Sequence, residues 1–270
     1  MSNPVKLFIV EGEDRDYRFV NSMTSCFFGK GRFEAIVINL PVSQNIYMLF
    51  KSLMDDGFNL DIVEILRDTV DVAKEKLSGV ERQDIDEVFL FFDYDTQQDN
   101  LPNGIMDEPD KVLRSMLEVF NNETENGKLY INYPMVEALY DYKVDMCESF
   151  SGCFADINEL DNYKEKSGEN NPQASKHFHY TEWRDVLNVF LLRITCLWEL
   201  EDISFEFYRT NVSPYTIFGK EKDIKRTRNQ VFVLSSFPEF LFDYFKVDFW
   251  NKHSKVKHFK YIKCPKLVKE

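Results

Sequence analysis

The run Glu87 to Phe92, EVFLFF, is almost wholly apolar. A strand of that composition has to be covered on both faces, as a strand inside a parallel sheet is, with helices above and below it. Two similar runs precede it: VKLFIV at residues 5–10, ending in Glu11-Gly12, and EAIVINL at residues 34–40, bounded by Gly31 and Pro41. Each is followed by helical spacing, through Phe19, Val20 and Met23 in the first case and Ile46, Leu49, Phe50 and Leu53 in the second. One further helix is expected over residues 60–77, closed by Ser78-Gly79. Glu108-Pro109 opens another that runs to about Phe120. A strand from Lys128 to Asn132 follows, and Pro134 is read as the first residue of a helix carrying Met135 to Tyr140. Strands alternating with helices over about 140 residues predict a right-handed α/β unit built on a mostly parallel sheet.

Beyond this point the texture changes. Residues 156–175 are polar, contain Gly168 and Pro172, and read as a loop or hinge. Thr181 is the expected N-cap of a helix from Trp183 to Leu200. Residues 223–245 read as a helix or pair of helices interrupted at Pro238, and the Phe-rich stretch from Val231 to Trp250 as core by default. The expected division is therefore residues 1–145, an α/β domain, and residues 146–270, a mainly helical region that builds a groove or docks a partner. The chain's 270 residues, 44% hydrophobic, suffice for one large or two small cores. No apolar run reaches the roughly 18 residues of a membrane span, and the start lacks a secretory pattern, so a soluble, cytoplasmic protein is expected. Five cysteines at irregular spacings, without a CxxC pair, are read as packing residues rather than a disulfide framework or zinc site.

Charge divides the chain more sharply. The net is −13, but residues 220–270 carry 13 basic and 6 acidic side chains against 20 and 40 in residues 1–219. Lys220, Lys225, Arg226 and Arg228, then Lys257 near Phe259 and Tyr261, have the mix of cations and aromatics that suits phosphates and stacked bases. A solvated surface explains the same residues equally well. His177 and His179 are two apart, which on a strand puts both imidazoles on one face as ligands; an exposed lead into the following helix is the preferred reading.

In an open parallel sheet, ligands sit beyond the carboxyl ends of the strands. Glu11 follows the first strand, and Asp93 and Asp95 follow the third. Carboxylates gathered there repel one another, and a hard divalent cation, Mg²⁺ or Mn²⁺, keeps them ionised together. Asp-x-Asp after a strand is also a common turn or cap. What adds weight here is the order, a strand ending in Glu-Gly and another ending in Asp-x-Asp about 80 residues later.

The segments FIVEGEDRD and FLFFDYD together resemble the TOPRIM domain of topoisomerases, bacterial primases and overcoming-lysogenization-defect (OLD) nucleases, over roughly residues 4–142. The resemblance implies a TOPRIM-like Rossmannoid sheet, with Glu11 as general acid or base and Asp93 and Asp95 as Mg²⁺ ligands. YINYPMVEAL is similar to the stretch in OLD-like proteins where a proline precedes a helix bearing a glutamate, which makes Glu137 a candidate second-site ligand. The family often places an acid four residues after the glutamate, where this chain has Arg15. Asp14 or Asp16 either takes that place or stabilises the helix N-terminus. OLD proteins fuse an ATPase to the nuclease, and these 270 residues contain no GxxxxGK[ST] P-loop. The resemblance thus implies a stand-alone effector of bacterial anti-phage defence, cutting DNA or RNA (tRNA included) and restrained by a partner ATPase; a homo-oligomer is a separate expectation about its partners. The rivals are another TOPRIM activity, primase-like or RNA-maturing, and a non-enzymatic acidic protein that mimics nucleic-acid charge.

Overall fold

A computed structural model describes residues 3–12, 15–29, 31, 33–41, 45–94, 108–142, 153–170 and 178–254. Asp14, Asp95, His177 and Lys257 lie outside them. The chain divides into two compact units, Met1–Tyr130 and Ile131–Glu270. The division falls inside a strand, fifteen residues before the boundary expected at 145.

The first unit is α/β. Strands β1 (Val5–Val10), β2 (Glu34–Asn39), β3 (Ile85–Asp93), β4 (Asn121–Asn122) and β5 (Gly127–Asn132) form one sheet in the order β2-β1-β3-β5-β4. Both β2 and β3 pair in parallel with β1, and the short β4 runs antiparallel to β5. The EVFLFF run behaves as its composition demands: Val88 to Phe92 are all buried. Phe8 stands opposite Phe89 in the register, their rings 5.4 Å apart, and Phe91 stacks on Tyr130 at 5.5 Å. Each such ring removed from water contributes about 1.5–3 kcal/mol. Gly127, at φ +98°, lets β5 approach this layer, because a Cβ there would lie 2.6 Å from Leu90 Cδ1. At the amino end of the sheet, Lys6 is buried and pairs with Glu87, with Asp86 at 3.8 Å and the Phe33 ring beneath its ammonium.

Helices α1 (Arg15–Phe27), α2 (Ile46–Asp55), α3 (Ile62–Thr69), α4 (Asp71–Lys76) and α5 (Pro109–Val119) complete the described part of this unit. The single helix expected over 60–77 is two. Val70 is extended (φ −121°, ψ 108°) and buried, so core packing of this β-branched residue takes precedence over helix continuity. Asp61 opens α3 with a capping box to Glu64.

In the second unit, a 3-10 helix (Val136–Tyr140) replaces the α-helix expected after Pro134, whose bond to Tyr133 is cis. The expected loop at 156–175 is also corrected. Its described part holds the end of β6 (Phe154–Asp156), a 3-10 helix (Ile157–Asn162) and α6 (Tyr163–Asn170), anchored by buried Leu160 and Tyr163. Next come α7 (Tyr180–Leu197), α8 (Phe205–Asn211), α9 (Pro214–Arg228), β7 (Gln230–Phe232, antiparallel to β6) and α10 (Ser236–His253). The cap of α7 is His179 rather than Thr181. Its backbone N–H donates to Glu182 Oε2 at 3.0 Å. Pro238 does not interrupt a helix. It sits in the first turn of α10, where no N–H is needed, and the break comes at Lys246, with φ +57°. The Phe-rich stretch is core in large part, with Phe237, Phe240 and Phe242 at most 1% exposed. Cys196 is disulfide-bonded while Cys26 and Cys153 are not, so the packing-thiol expectation fails at Cys196. Sequence spacing carries no information about distant pairings. No helix among the described residues is long and apolar enough to cross a membrane.

Glu221 on α9 is completely buried. Its Oε2 accepts a hydrogen bond from the Phe232 N–H at 2.9 Å, and its Oε1 has no hydrogen-bond partner among the described residues. Burial pushes its carboxyl well above the ordinary 4.5, against the opposing pull of the Phe232 hydrogen bond. A carboxyl raised in the folded state contributes stability that is complete below its unfolded value and declines as pH climbs toward the folded one. Glu221→Gln, which cannot ionise, is therefore expected to melt progressively above the wild type as pH is raised from 4.5 to 8. Parallel melting curves across that range contradict the assignment.

Candidate active site

The parallel register carries the chemistry to one edge. Val10 pairs with Asn39 on one side and Phe91 on the other, so the chain leaves β1, β2 and β3 at nearly the same level. There the Asp93 backbone N–H donates to Glu11 Oε2 at 3.3 Å. Two of the three expected site residues, separated by 82 positions, are thus in contact. The turn after β1 is held from the β2 side as well: Leu40 N–H donates to Val10 O at 2.8 Å, and Asn39 Nδ2 donates to Gly12 O at 2.5 Å.

Asp16 completes the turn. It lies in the first turn of α1, where the helix dipole favours a carboxylate, and is only 7% exposed. A Cβ built on Gly12 would fall 2.0 Å from Asp16 Oδ2, so the carboxylate occupies the space that a side chain at position 12 would need. Between the two aspartates left open by the sequence, Asp16 is the one described, and it packs on the Glu11-Gly12 turn. On the other side, Tyr94 is buried immediately after Asp93 and donates its O–H to Asp110 Oδ1 on α5 at 3.0 Å.

Glu137 belongs to the second unit, where it is buried with Lys164 Nζ 4.0 Å from its Oε1. The expected nucleic-acid residues Lys220, Lys225, Arg226 and Arg228 share α9. Lys220 lies over the Trp198 ring at 5.7 Å, Arg228 over Phe154 at 5.1 Å, and Arg226 pairs with Asp223 at 3.1 Å. Glu221 points into the core, so the exposed side of this helix keeps most of its positive charge.

Asn39 and Asp110 were not picked out from the sequence. Asn39 ends the second strand as Glu11 follows the first, which is the signal that points to it. Asp110 carries none, because its tie to the site runs through the Tyr94 hydroxyl. Among the described residues no group of three or more His, Cys, Asp or Glu is arranged to hold a metal ion. Glu11 and Asp93 carry hard oxygen donors on the two segments that this backbone hydrogen bond joins, and Asp95, two residues on, lies outside the described residues. This donor chemistry suits Mg²⁺ or Mn²⁺.

No family model, curated protein or solved structure matches the chain.

The Gly12–Asp16 packing has a direct test. Gly12→Ala is expected to cost about 1–3 kcal/mol by overpacking. In an Asp16→Ala background the same change costs less, because the obstructing carboxylate is gone. Additive costs in a double-mutant cycle measured by urea unfolding would show that the two residues do not interfere.

Proposed function

We propose that the chain is a TOPRIM-type, metal-dependent nuclease that hydrolyses phosphodiester bonds in DNA or RNA. The observation that carries the proposal is the hydrogen bond from the Asp93 N–H to the Glu11 carboxylate at the carboxyl edge of two parallel strands. It joins the Glu-Gly and Asp-x-Asp segments on which the resemblance rests.

In this reading Asp93 and Asp95 would hold Mg²⁺ or Mn²⁺, with Glu11 beside them. When bound, the cation polarises a phosphoryl oxygen and lowers the pKa of water. The chain's own residues do the rest. Glu11, kept as a hydrogen-bond acceptor by the Asp93 N–H, is oriented to take a proton from the attacking water. Asp16 and Asn39 fix the turn that carries it. Lys225, Arg226 and Arg228 on α9 contact backbone phosphates, and this contact is sequence-independent and weakened by salt. The role is that of an effector in anti-phage defence. Any coupled ATPase comes from outside these 270 residues.

Metal binding is tested first. Mg²⁺ or Mn²⁺ at a hundred times its dissociation constant stabilises a folded protein by about 2.7 kcal/mol. The melting temperature of the wild type is expected to rise accordingly, and that of Asp93→Ala much less. Catalysis is tested by sequencing DNA and RNA ends from cells expressing the protein, with Glu11→Ala and Asp95→Ala as comparisons. Loss of the proton acceptor is expected to slow cleavage by about 10²–10⁴-fold. New ends that persist undiminished in Glu11→Ala remove the role assigned to that residue. Equal melting shifts in wild type and Asp93→Ala favour the non-enzymatic charge mimic.

A further inference from the structure

The strand that carries Asp93 is tied down one residue later. Tyr94 is 2% exposed, and its O–H donates to Asp110 Oδ1 at 3.0 Å. Asp110 lies in the first turn of α5, directly after Pro109, so the bond joins the exit of β3 to the entry of a regular helix. Successive side chains in an extended segment alternate between faces, so burying Tyr94 fixes the face that Asp93 presents. Burial alone does not need a hydroxyl, since phenylalanine would fill nearly the same volume. A buried tyrosine keeps its O–H where a partner fixes its direction, and here the partner is an acid rooted in another element.

We infer that Tyr94 and Asp110 are positioning residues. Their O–H···O bond holds the end of β3 in place, which keeps the Asp93 N–H on the Glu11 carboxylate and gives the Asp93 side chain one orientation. The functional consequence rests on the nuclease reading, because the oriented carboxylate is one of the proposed metal ligands. Groups that orient ligands in this indirect way typically set metal affinity by 10–100-fold.

The test uses the whole chain and has one readout that needs no metal. In metal-free Tyr94→Phe, amide exchange at Asp93 followed by NMR is expected to quicken at least about tenfold, while exchange at Leu90, deeper in the same strand, stays as in wild type. Asp110→Ala does the same, and Asp110→Asn, which keeps an acceptor oxygen, behaves as wild type. Mn²⁺ affinity measured by calorimetry drops about tenfold in Tyr94→Phe and Asp110→Ala and is retained in Asp110→Asn. A purely structural role for Tyr94 lowers the melting temperature and moves neither readout. Unchanged Asp93 exchange or unchanged Mn²⁺ affinity in Tyr94→Phe overturns the inference. Asp93→Asn separates the two levels. If it loses Mn²⁺ while Tyr94→Phe does not, only the positioning role is wrong; if it binds as wild type does, the metal reading has failed and the functional part of this inference goes with it.

Discussion

The parallel pairing of β1 between β2 and β3 is the constraint on which the rest of the first unit depends. Because Val10 is level with both Asn39 and Phe91, three chain exits open at one edge. Each exit then needs partners for its backbone groups, since it has left the ladder. The Asp93 N–H finds the Glu11 carboxylate, and the Gly12 carbonyl finds the Asn39 amide. The side chains that gather at this edge are thus also the ones that close the sheet. Such double use ties the geometry of the site to the stability of the fold.

The second unit meets the same demand by burying polar groups within a largely aromatic core. Asn132, 1% exposed at the end of β5, accepts from the Ser236 N–H at 3.0 Å and the Ser236 hydroxyl at 2.8 Å, supplying an acceptor at the start of α10. Glu221 gives the Phe232 N–H, at the end of β7, a partner from α9. Tyr163 donates to Asp141 at 2.5 Å, and burial together with that neighbouring carboxylate pushes the phenol well above its usual range. Each of these contacts is made at the end of a strand or helix. They are the points at which the packing is directional rather than merely apolar.

Much of this was legible in the sequence, for identifiable reasons. β1, β2, β3 and β5 could be read because each is a short apolar run with a turn signal after it. The Glu11–Asp93 meeting followed from the rule that ligands gather at the carboxyl ends of parallel strands. What escaped was decided by tertiary packing. Val70 leaves the helix because its side chain is needed in the core, and no propensity at 69–71 announces that. The polar composition of 163–170 hid a helix anchored by Tyr163 at its start. Pro238 looked like a break, but a proline in a first turn needs no donor. Asp110 reaches the site through a phenol, a link that spacing along the chain does not encode.

The buried Lys6 gives the sheet a direction. At the amino end of β1 an ammonium is inserted among Asp86 and Glu87, whereas at the far end of the same strands Glu11, Asp16 and Asp93 accumulate. The amino end thus sets a cation among its acids, while the far end gathers Glu11, Asp16 and Asp93 around one turn. The two ends of β1 are therefore fastened by different means, a buried ion pair at one and a carboxylate accepting from a backbone N–H at the other.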